Sequence, residues 1–215
     1  MTPIVAYMLI PLGACLLGAV PFGLILCKVI KGVDIREHGS KNIGATNAGR
    51  VCGWPFFVAA FALDCGKGLA PVLGGPMIVE ALAGEFPNDW FRVAYGICAI
   101  LGHTFPVYLK FRGGKAVATS FGVFVGLAPI TALIALAAWL IVLLSLRYVS
   151  LASMTGAVAA PIAYAVQHWS ALGNHLPVLA FTITIPVVII IRHRANIRRL
   201  LAGTESRFRF RRNAD

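Results

Sequence analysis

Three polar segments carry nearly all the groups of this chain that could do chemistry. They read HGSKNIGATNAGR at 38–50, GHTFPVYLKFRGGKAVATSFG at 102–122 and RHRANIRRLLAGTESRFRFRR at 192–212. Each combines lysine or arginine with glycine and with small hydroxyl or amide side chains. Cationic groups, neutral donors and closely approaching backbone N–H groups are what proteins use to bind phosphate. The residue types therefore favour a site for phosphorylated ligands.

The first segment supplies three kinds of phosphate ligand. Its glycines at 39, 44 and 49 allow backbone N–H groups to approach a ligand closely. Arg50 offers a planar, bidentate cation. Neutral hydrogen bonds are available from Ser40, Asn42, Thr46 and Asn47. The same composition is also typical of a solvated loop of turn-forming residues, so both interpretations stay open at this point.

The second segment places Gly113, Gly114 and Lys115 directly before an apolar stretch that we predict to be a helix. Backbone N–H groups, a helix N-terminus and a point charge together make an anion site. The segment is not a Walker loop, because that motif requires Ser or Thr after the lysine and Ala116 stands there. The alternative is that Lys115 and the two basic residues before it anchor helix ends at lipid headgroups.

The third segment begins where an apolar run ends. His193 and Asn196 are three residues apart, so both can face one side of a helix. Glu205 is the one acid among many arginines. The arginines that follow it are expected to bind anionic lipid, and we predict a basic cytoplasmic tail at 207–215.

A further charged pair lies inside an apolar stretch. Asp64 and Lys67 are also three residues apart, on one face of a predicted helix. Charges inside a membrane are costly and normally point into the protein, where opposite charges pair. We expect a structural ion pair that braces the site, with direct contact to a substrate as the alternative.

The composition places these segments in a membrane. Of the 215 residues, 59% are hydrophobic and only 13% are charged, which is too few charges for a soluble domain. We predict an all-α integral membrane protein, a single domain over 1–215 folded as a polytopic bundle of seven transmembrane helices. The predicted spans are 4–27, 54–79, 91–109, 116–129, 130–147, 151–167 and 176–192. Because the fourth is short and meets the fifth at residues 128–129, five or six spans are an alternative.

Basic residues are distributed unevenly between the two sides of such a bundle. Seventeen of the 19 lysines and arginines fall on one side. The positive-inside rule assigns that side to the cytoplasm, with the N-terminus outside. The net charge of +11 then suits a membrane surface, and we expect no nucleic acid partner. All three polar segments share the cytoplasmic side, so we expect them to converge on one pocket there.

Several other chemistries are disfavoured. The five cysteines are scattered and form no CxxC pair, which argues against disulfides and thiolate metal sites. The chain has no HExxH, no paired acidic cluster and no GxSxG, so we expect neither a metal nor a cofactor. No histidine has an aspartate five residues later, which disfavours acyltransferases that activate a hydroxyl with a His-x4-Asp pair.

The three segments resemble the signature motifs of a known family. GSKNIGATNAGR at 39–50, GHTFPVYLKFRGGKAVAT at 102–119 and HRANIRRLLAGTE at 193–205 are similar, in order and spacing, to those of the bacterial acyl-phosphate:glycerol-3-phosphate acyltransferases, the PlsY type. The resemblance covers essentially the whole chain. It implies a small seven-helix enzyme of the bacterial inner membrane. Such an enzyme transfers a fatty acyl group from acyl phosphate to the sn-1 hydroxyl of glycerol 3-phosphate, giving lysophosphatidic acid and phosphate.

The resemblance also implies roles for individual residues. Catalytic roles are expected for His193, Asn196 and Ser40, the last of which also holds phosphate. Phosphate binding is expected from Arg50, Lys115, Gly113, Gly114, Asn42, Thr46 and Asn47. Structural support is expected from Asp64, Lys67, His103 and Glu205. We expect direct displacement without an acyl-enzyme, with His193 or the substrate's own phosphate accepting the hydroxyl proton. The expected partners are the two substrates, membrane lipid and the enzyme that makes acyl phosphate, through functional coupling.

Two residues depart from the family pattern. Ala116 stands where the motif usually has the last glycine of GGKG, and Lys41 stands where glycine is common in the first motif. Neither change removes a functional group, so we expect effects on affinity or loop geometry. The rival class of protein is a transporter of a phosphorylated metabolite, which would show flux in vesicles and no turnover.

Overall fold

The computed structural model describes residues 3–208 and divides the chain into two compact units, Met1–Leu127 and Ala128–Asp215. In the first unit the described residues form six α-helices and a short 3-10 turn at Val107–Leu109. The helices are α1 (Pro3–Ala19), α2 (Phe22–Lys31), α3 (Ala45–Cys52), α4 (Trp54–Ala83), α5 (Asp89–Thr104) and α6 (Val117–Leu127).

The second unit is also helical throughout its described part. Its helices are α7 (Pro129–Leu146), α8 (Val149–Gln167), α9 (Leu176–Arg192) and α10 (Arg194–Leu201), with a 3-10 segment at Trp169–His175. Together, residues 3–208 contain no strand. The all-α class predicted from the sequence is confirmed, and the prediction of a single domain over 1–215 stays a prediction.

Helix length and composition identify fewer candidate membrane crossings than the seven that were predicted. Three helices among the described residues are long and apolar enough to cross a bilayer, namely α4, α7 and α8. The count rises to five if the bent pairs α1–α2 and α9–α10 each form one span. Helix α6 ends at Leu127 and α7 begins at Pro129, so the predicted boundary between the fourth and fifth spans is correct.

The first predicted span, 4–27, is interrupted by a break between α1 and α2. The two helices meet at 41°. Pro21 causes the break, because it has no N–H to donate and its ring crowds the preceding turn. The Val20 N–H instead closes a tight turn on the Leu17 carbonyl at 3.1 Å, and α2 restarts with Ile25 donating to Pro21 at 3.0 Å.

Helices α4 and α6 pack with their backbones almost touching. A Cβ atom at Gly68 would overlap the Thr119 carbonyl, and one at Gly122 would overlap the Cys65 carbonyl. Small residues allow this close approach, which is common between helices in membranes. Aromatic rings extend the contact, with consecutive centroids 4.9, 6.0 and 5.9 Å apart along Trp54, Phe57, Phe61 and Phe121. Helix α4 is therefore the support to which α6 is attached.

In the second unit the chain after α10 returns to the corner between α7 and α8. The Phe208 N–H donates to the Arg147 carbonyl at 2.6 Å, and Arg207 Nε donates to the Tyr148 hydroxyl at 3.2 Å. Two residues that we assigned to a basic tail are thus attached to the fold. Residues 209–215 of that predicted tail lie outside the described part of the chain.

Candidate active site

One buried side chain, Asn47, organises the first polar segment. Its Nδ2 group donates to the carbonyls of Ile35 at 2.7 Å, Asn42 at 2.8 Å and His38 at 3.2 Å. Its Oδ1 atom accepts from the Ser40 N–H at 2.8 Å. Both ends of the amide are therefore occupied by the backbone of residues 35–42. Asn47 fixes the path of this loop in the way a backbone turn would.

The remaining predicted ligands of this segment lie on the loop and on α3. Ser40 and Arg50 are exposed, and Thr46 is half-buried in the first turn of α3. Asn42 Oδ1 accepts from the Gly44 N–H at 3.0 Å, which closes a turn just before that helix. Arg50 lies in the last turn of α3. The segment is an ordered loop followed by a helix, with its hydroxyl and its guanidinium at the surface.

The helix before the second polar segment is shorter than predicted. The predicted span ran to residue 109, but α5 ends at Thr104, with His103 in its last turn and only 4% exposed. The chain then turns and comes back to the end of that helix. There the Gly114 N–H donates to the His103 carbonyl at 3.1 Å. The loop of residues 113–115, called the phosphate loop after the ligand that we predict for it, is therefore held against the C-terminus of α5.

Gly114 is required by the position of the His103 ring. A Cβ atom at Gly114 would overlap Nε2 of that ring, and something would have to move. Lys115 follows directly and is half-buried. Gly114 and Lys115 were both predicted as ligands from the sequence, and the structure adds the His103 ring that packs on Gly114.

Both departures from the family pattern fall where the backbone favours glycine. Ala116 has a φ of 58° and is 2% exposed, and Lys41 also has a φ of 58°. This left-handed conformation costs a residue with a Cβ about 1 kcal/mol or more relative to glycine. The expected effect on loop geometry therefore has a physical basis, because each substitution stores local strain beside a predicted ligand.

A buried ion pair lies behind the phosphate loop. Lys67 Nζ and Asp64 Oδ1 are 2.7 Å apart, and both residues are at most 3% exposed. Lys67 also donates to the Val20 carbonyl at 2.7 Å, the acceptor left by the break between α1 and α2. The same Asp64 oxygen lies 3.8 Å from Nδ1 of His103. The predicted ion pair is present, and the structure adds two contacts that the spacing did not indicate.

His193 marks a bend in the third polar segment. It lies between α9 and α10, which meet at 60°, and is 3% exposed. Its Nδ1 atom lies 2.8 Å from the Ile189 carbonyl. Because a carbonyl only accepts, Nδ1 carries the hydrogen, and Nε2 is the acceptor nitrogen of the neutral ring.

Asn196 is oriented by Glu205. The carboxylate of Glu205 accepts from Asn196 Nδ2, from the Ser150 hydroxyl and from Arg199 Nε, each at 2.7 Å. Since Nδ2 is directed at the carboxylate, Oδ1 of Asn196 faces the opposite way as an acceptor. Burial raises the pKa of Glu205, but these hydrogen bonds and the Arg199 charge outweigh it and lower the pKa below its ordinary value of 4.5. The carboxylate is therefore ionised at neutral pH.

The structure brings the predicted residues together in two groups. The first unit holds the phosphate loop with His103, Asp64 and Lys67, and the second holds His193, Asn196 and Glu205. That all three segments form one pocket stays a prediction. Sequence reasoning missed Ser150, which lies in an apolar stretch with no distinguishing pattern, and it missed the Val20 carbonyl, although Pro21 is a signal for such a break. Within the described residues no cluster of three or more metal-ligating side chains occurs.

Comparison with known proteins identifies the family of the chain. The family model for glycerol-3-phosphate acyltransferase matches residues 8–203. A glycerol-3-phosphate acyltransferase of Geotalea daltonii is 44% identical over 198 residues, which cover 92% of this chain and 95% of the relative. Its counterpart in Thermosynechococcus vestitus is 41% identical over 212 residues, covering 96% and 97% of the two chains.

Solved structures are similar over nearly the whole chain as well. The crystal structure of PlsY, an integral membrane glycerol 3-phosphate acyltransferase, in its glycerol 3-phosphate form superposes with a TM-score of 0.82 at 39% identity, covering 94% of this chain and 96% of that one. The lysophosphatidic acid form of PlsY gives a TM-score of 0.80 at the same identity. On these matches and on the three motifs, the chain belongs to the glycerol-3-phosphate acyltransferase family, as an integral membrane enzyme of the PlsY type.

Proposed function

We propose that this enzyme transfers a fatty acyl group from acyl phosphate to the sn-1 hydroxyl of glycerol 3-phosphate, releasing lysophosphatidic acid and phosphate. The observation that carries the proposal is the similarity, over 94% of the chain, to an enzyme solved in a glycerol 3-phosphate form and in a lysophosphatidic acid form. These two molecules are the acceptor and the product of the proposed reaction. Acyl phosphate as the donor is supported by the chemistry of the site.

The groups in the first unit suit a phosphate ligand. Lys115 supplies a point charge, and the glycines before it allow an anion to approach the backbone closely, because they carry no side chain. Arg50 and Ser40 lie at the surface of their own helix and loop and supply a guanidinium and a hydroxyl. We assign these residues to phosphate binding. Asn47 and Asn42 shape the loop that carries Ser40, because their side chains are bonded to its backbone.

The groups in the second unit suit a hydroxyl. Nε2 of His193 and Oδ1 of Asn196 are both acceptors, as their other atoms donate to Ile189 and to Glu205. An acceptor nitrogen within reach of an alcohol can orient it and take its proton. We assign His193 to the sn-1 hydroxyl of glycerol 3-phosphate and Asn196 to its orientation.

The proposed reaction is a single displacement. The sn-1 oxygen attacks the carbonyl carbon of acyl phosphate and forms the new ester bond. The bond from that carbon to the phosphate oxygen breaks, and phosphate leaves with the electron pair. The hydroxyl proton passes to His193 and then to the departing phosphate. A mixed anhydride already carries a good leaving group, so positioning and charge neutralisation are the main contributions of the protein.

The proposed membrane arrangement has seven crossings, with α5 and α6 added to the three long helices and the two bent pairs. It places the N-terminus outside and the three polar segments in the cytoplasm, at the bacterial inner membrane. The uneven distribution of 17 of the 19 basic residues supports this orientation. Cysteines placed at Glu85 and at Glu37, in a chain without its own cysteines, test it. We expect a membrane-impermeant maleimide to label residue 85 and not residue 37 in intact cells.

One assay tests the proposed activity. Purified protein in detergent or lipid is given acyl phosphate with and without glycerol 3-phosphate, and phosphate and lysophosphatidic acid are measured. We expect both products, in equal amounts, only when both substrates are present. Flux of a phosphorylated metabolite into vesicles without any turnover would instead identify a transporter.

A further inference from the structure

We propose that Asp64 is a positioning residue for the phosphate loop, acting through the ring of His103. The inference rests on the proposed function, since it assumes that this loop binds a phosphorylated substrate. Positioning of the loop is a role of Asp64 additional to bracing the fold through its ion pair with Lys67. The carboxylate would set the orientation of the ring, and the ring would set the position of Gly114 and Lys115.

The first step is that Lys67 is fully occupied elsewhere. Its ammonium pairs with Asp64 at 2.7 Å and donates to the Val20 carbonyl at 2.7 Å. It also lies 5.6 Å from the centre of the Phe22 ring. The last two contacts are made with residues at the break between α1 and α2. Lys67 thus attaches α4 to that break and holds Asp64 in a fixed place, since a buried carboxylate needs its partner.

The second step is the contact between Asp64 and His103. Oδ1 of Asp64 lies 3.8 Å from Nδ1 of the ring, and both side chains are at most 5% exposed. At this distance the interaction is electrostatic and not a hydrogen bond. In a poorly solvated site it still favours the ring orientation and tautomer that direct an Nδ1–H at the carboxylate. The opposite edge of the ring, with Nε2, is then directed away from α4.

The third step is that Nε2 faces the phosphate loop. Gly114 packs so closely on it that a Cβ atom there would overlap the nitrogen, and a Cβ at Gly113 would overlap the His103 carbonyl. The Gly114 N–H also donates to that carbonyl at 3.1 Å. A rotation of the ring would therefore displace Gly114, and Lys115 is covalently next to it. Small displacements of a ligand-binding group have large effects on its function.

The chain contains a second ion pair that serves as a matched control. Asp89 and Arg92 are also three residues apart on a helix of the first unit, with 2.8 Å between Oδ1 and Nη1. Arg92 also donates to a backbone carbonyl, that of Gly126, at 3.0 Å. This pair joins the start of α5 to the end of α6, and its contacts do not include the phosphate loop. The control pair is more exposed, with side chains 24% and 42% accessible. If the Asp64–Lys67 pair only braces the fold, replacing it should leave both KM values unchanged, as replacing the control pair should.

The test compares two double variants, Asp64→Leu/Lys67→Met and Asp89→Leu/Arg92→Met. Each variant removes both charges of a pair. For the buried pair this avoids stranding one buried charge, and such a replacement is often neutral for stability. Thermal unfolding, kcat and both KM values are measured on the full chain in detergent. For Asp64→Leu/Lys67→Met we expect a roughly tenfold rise in the KM of one phosphorylated substrate. For the control pair we expect both KM values to be unchanged.

A double-mutant cycle keeps the proposal testable if the first variant does not fold. Gly114→Ala is made alone and in a His103→Ala background, where the overlapping ring is absent. We expect the substitution to raise KM much more with the ring present than without it. Equal KM effects of Gly114→Ala in the two backgrounds, or unchanged KM in Asp64→Leu/Lys67→Met, would overturn the positioning role. A wild-type protein without phosphate release dependent on glycerol 3-phosphate would instead overturn the proposed function.

Discussion

The phosphate loop in the first unit and the bend at His193 in the second offer opposite kinds of polar group. The loop offers a donor, the ammonium of Lys115, because the Gly114 N–H already donates to the His103 carbonyl. The bend offers acceptors, Nε2 of His193 and Oδ1 of Asn196, because the other atoms of both side chains donate to Ile189 and Glu205. Donors suit an anion and acceptors suit a hydroxyl. The two regions therefore suit different parts of the proposed reaction.

The two regions are also supported differently. Behind the loop lie fully buried charges and a strained residue, Ala116, with a φ of 58°. Behind the bend lies one carboxylate, Glu205, whose side chain is 6% exposed and which accepts three hydrogen bonds. We therefore expect substitutions in the first region to change substrate binding, measured as KM, and substitutions at the bend to change the chemical step, measured as kcat.

The largest expected effect comes from the bend. We expect His193→Ala to lower kcat by about 10³-fold, the usual loss when a general base is removed, with little change in KM. His175→Ala, in the 3-10 segment of the same unit, is the control and should retain full activity. Full activity in His193→Ala would transfer the role of proton acceptor to the substrate's own phosphate.

The next largest effect is expected from the phosphate loop and should appear in KM instead of kcat. We expect Lys115→Met to raise the KM of a phosphorylated substrate by about 30-fold, the loss of one charge-assisted hydrogen bond, with a smaller change in kcat. Lys110→Met, an exposed lysine of the same segment, is the control. A fall in kcat at constant KM would remove the distinction between the two regions.

Glu205→Gln should weaken the support of the bend. We expect the free energy of unfolding to fall by about 2 kcal/mol at neutral pH, because a charged acceptor of three hydrogen bonds becomes neutral. The pKa of Glu205 is lowered in the folded state, so its contribution is complete above the ordinary value of 4.5 and is lost as pH falls from there through the lowered pKa of the folded state. Thermal unfolding should therefore separate the variant from the wild type at pH 7, and the difference should shrink progressively as pH falls below 4.5. A constant difference across that range would show that the charge is not responsible.

The smallest effect is expected from the strained residue beside Lys115. Ala116→Gly should stabilise the protein by about 1 kcal/mol, because glycine adopts a positive φ without the Cβ penalty. Ala118→Gly, two residues later inside α6, should destabilise it by about 1 kcal/mol, as glycine does within helices. Thermal unfolding of both variants measures the two changes in stability. Loss of stability in both would mean that Ala116 is not strained.

The sequence predicted the helical class and most helix positions because apolar periodicity and length determine them. It also predicted the Asp64–Lys67 pair, because i, i+3 spacing places opposite charges together. It could not predict contacts that depend on how the chain returns on itself. His103 lies in the last turn of α5, within the predicted span, and its ring meets Gly114 only because residues 105–112 turn back. Ser150 likewise meets Glu205 across 55 residues of sequence, a contact that no local pattern encodes.

The most direct test of the proposed mechanism is a two-substrate kinetic measurement on the wild-type protein. Initial rates are recorded with acyl phosphate and glycerol 3-phosphate both varied, and phosphate release is also followed with acyl phosphate alone. We expect intersecting lines in the double-reciprocal plot and no phosphate release in the absence of glycerol 3-phosphate, because the hydroxyl attacks the anhydride directly. Parallel lines, together with a burst of one phosphate per enzyme from acyl phosphate alone, would show an acyl-enzyme and contradict direct displacement.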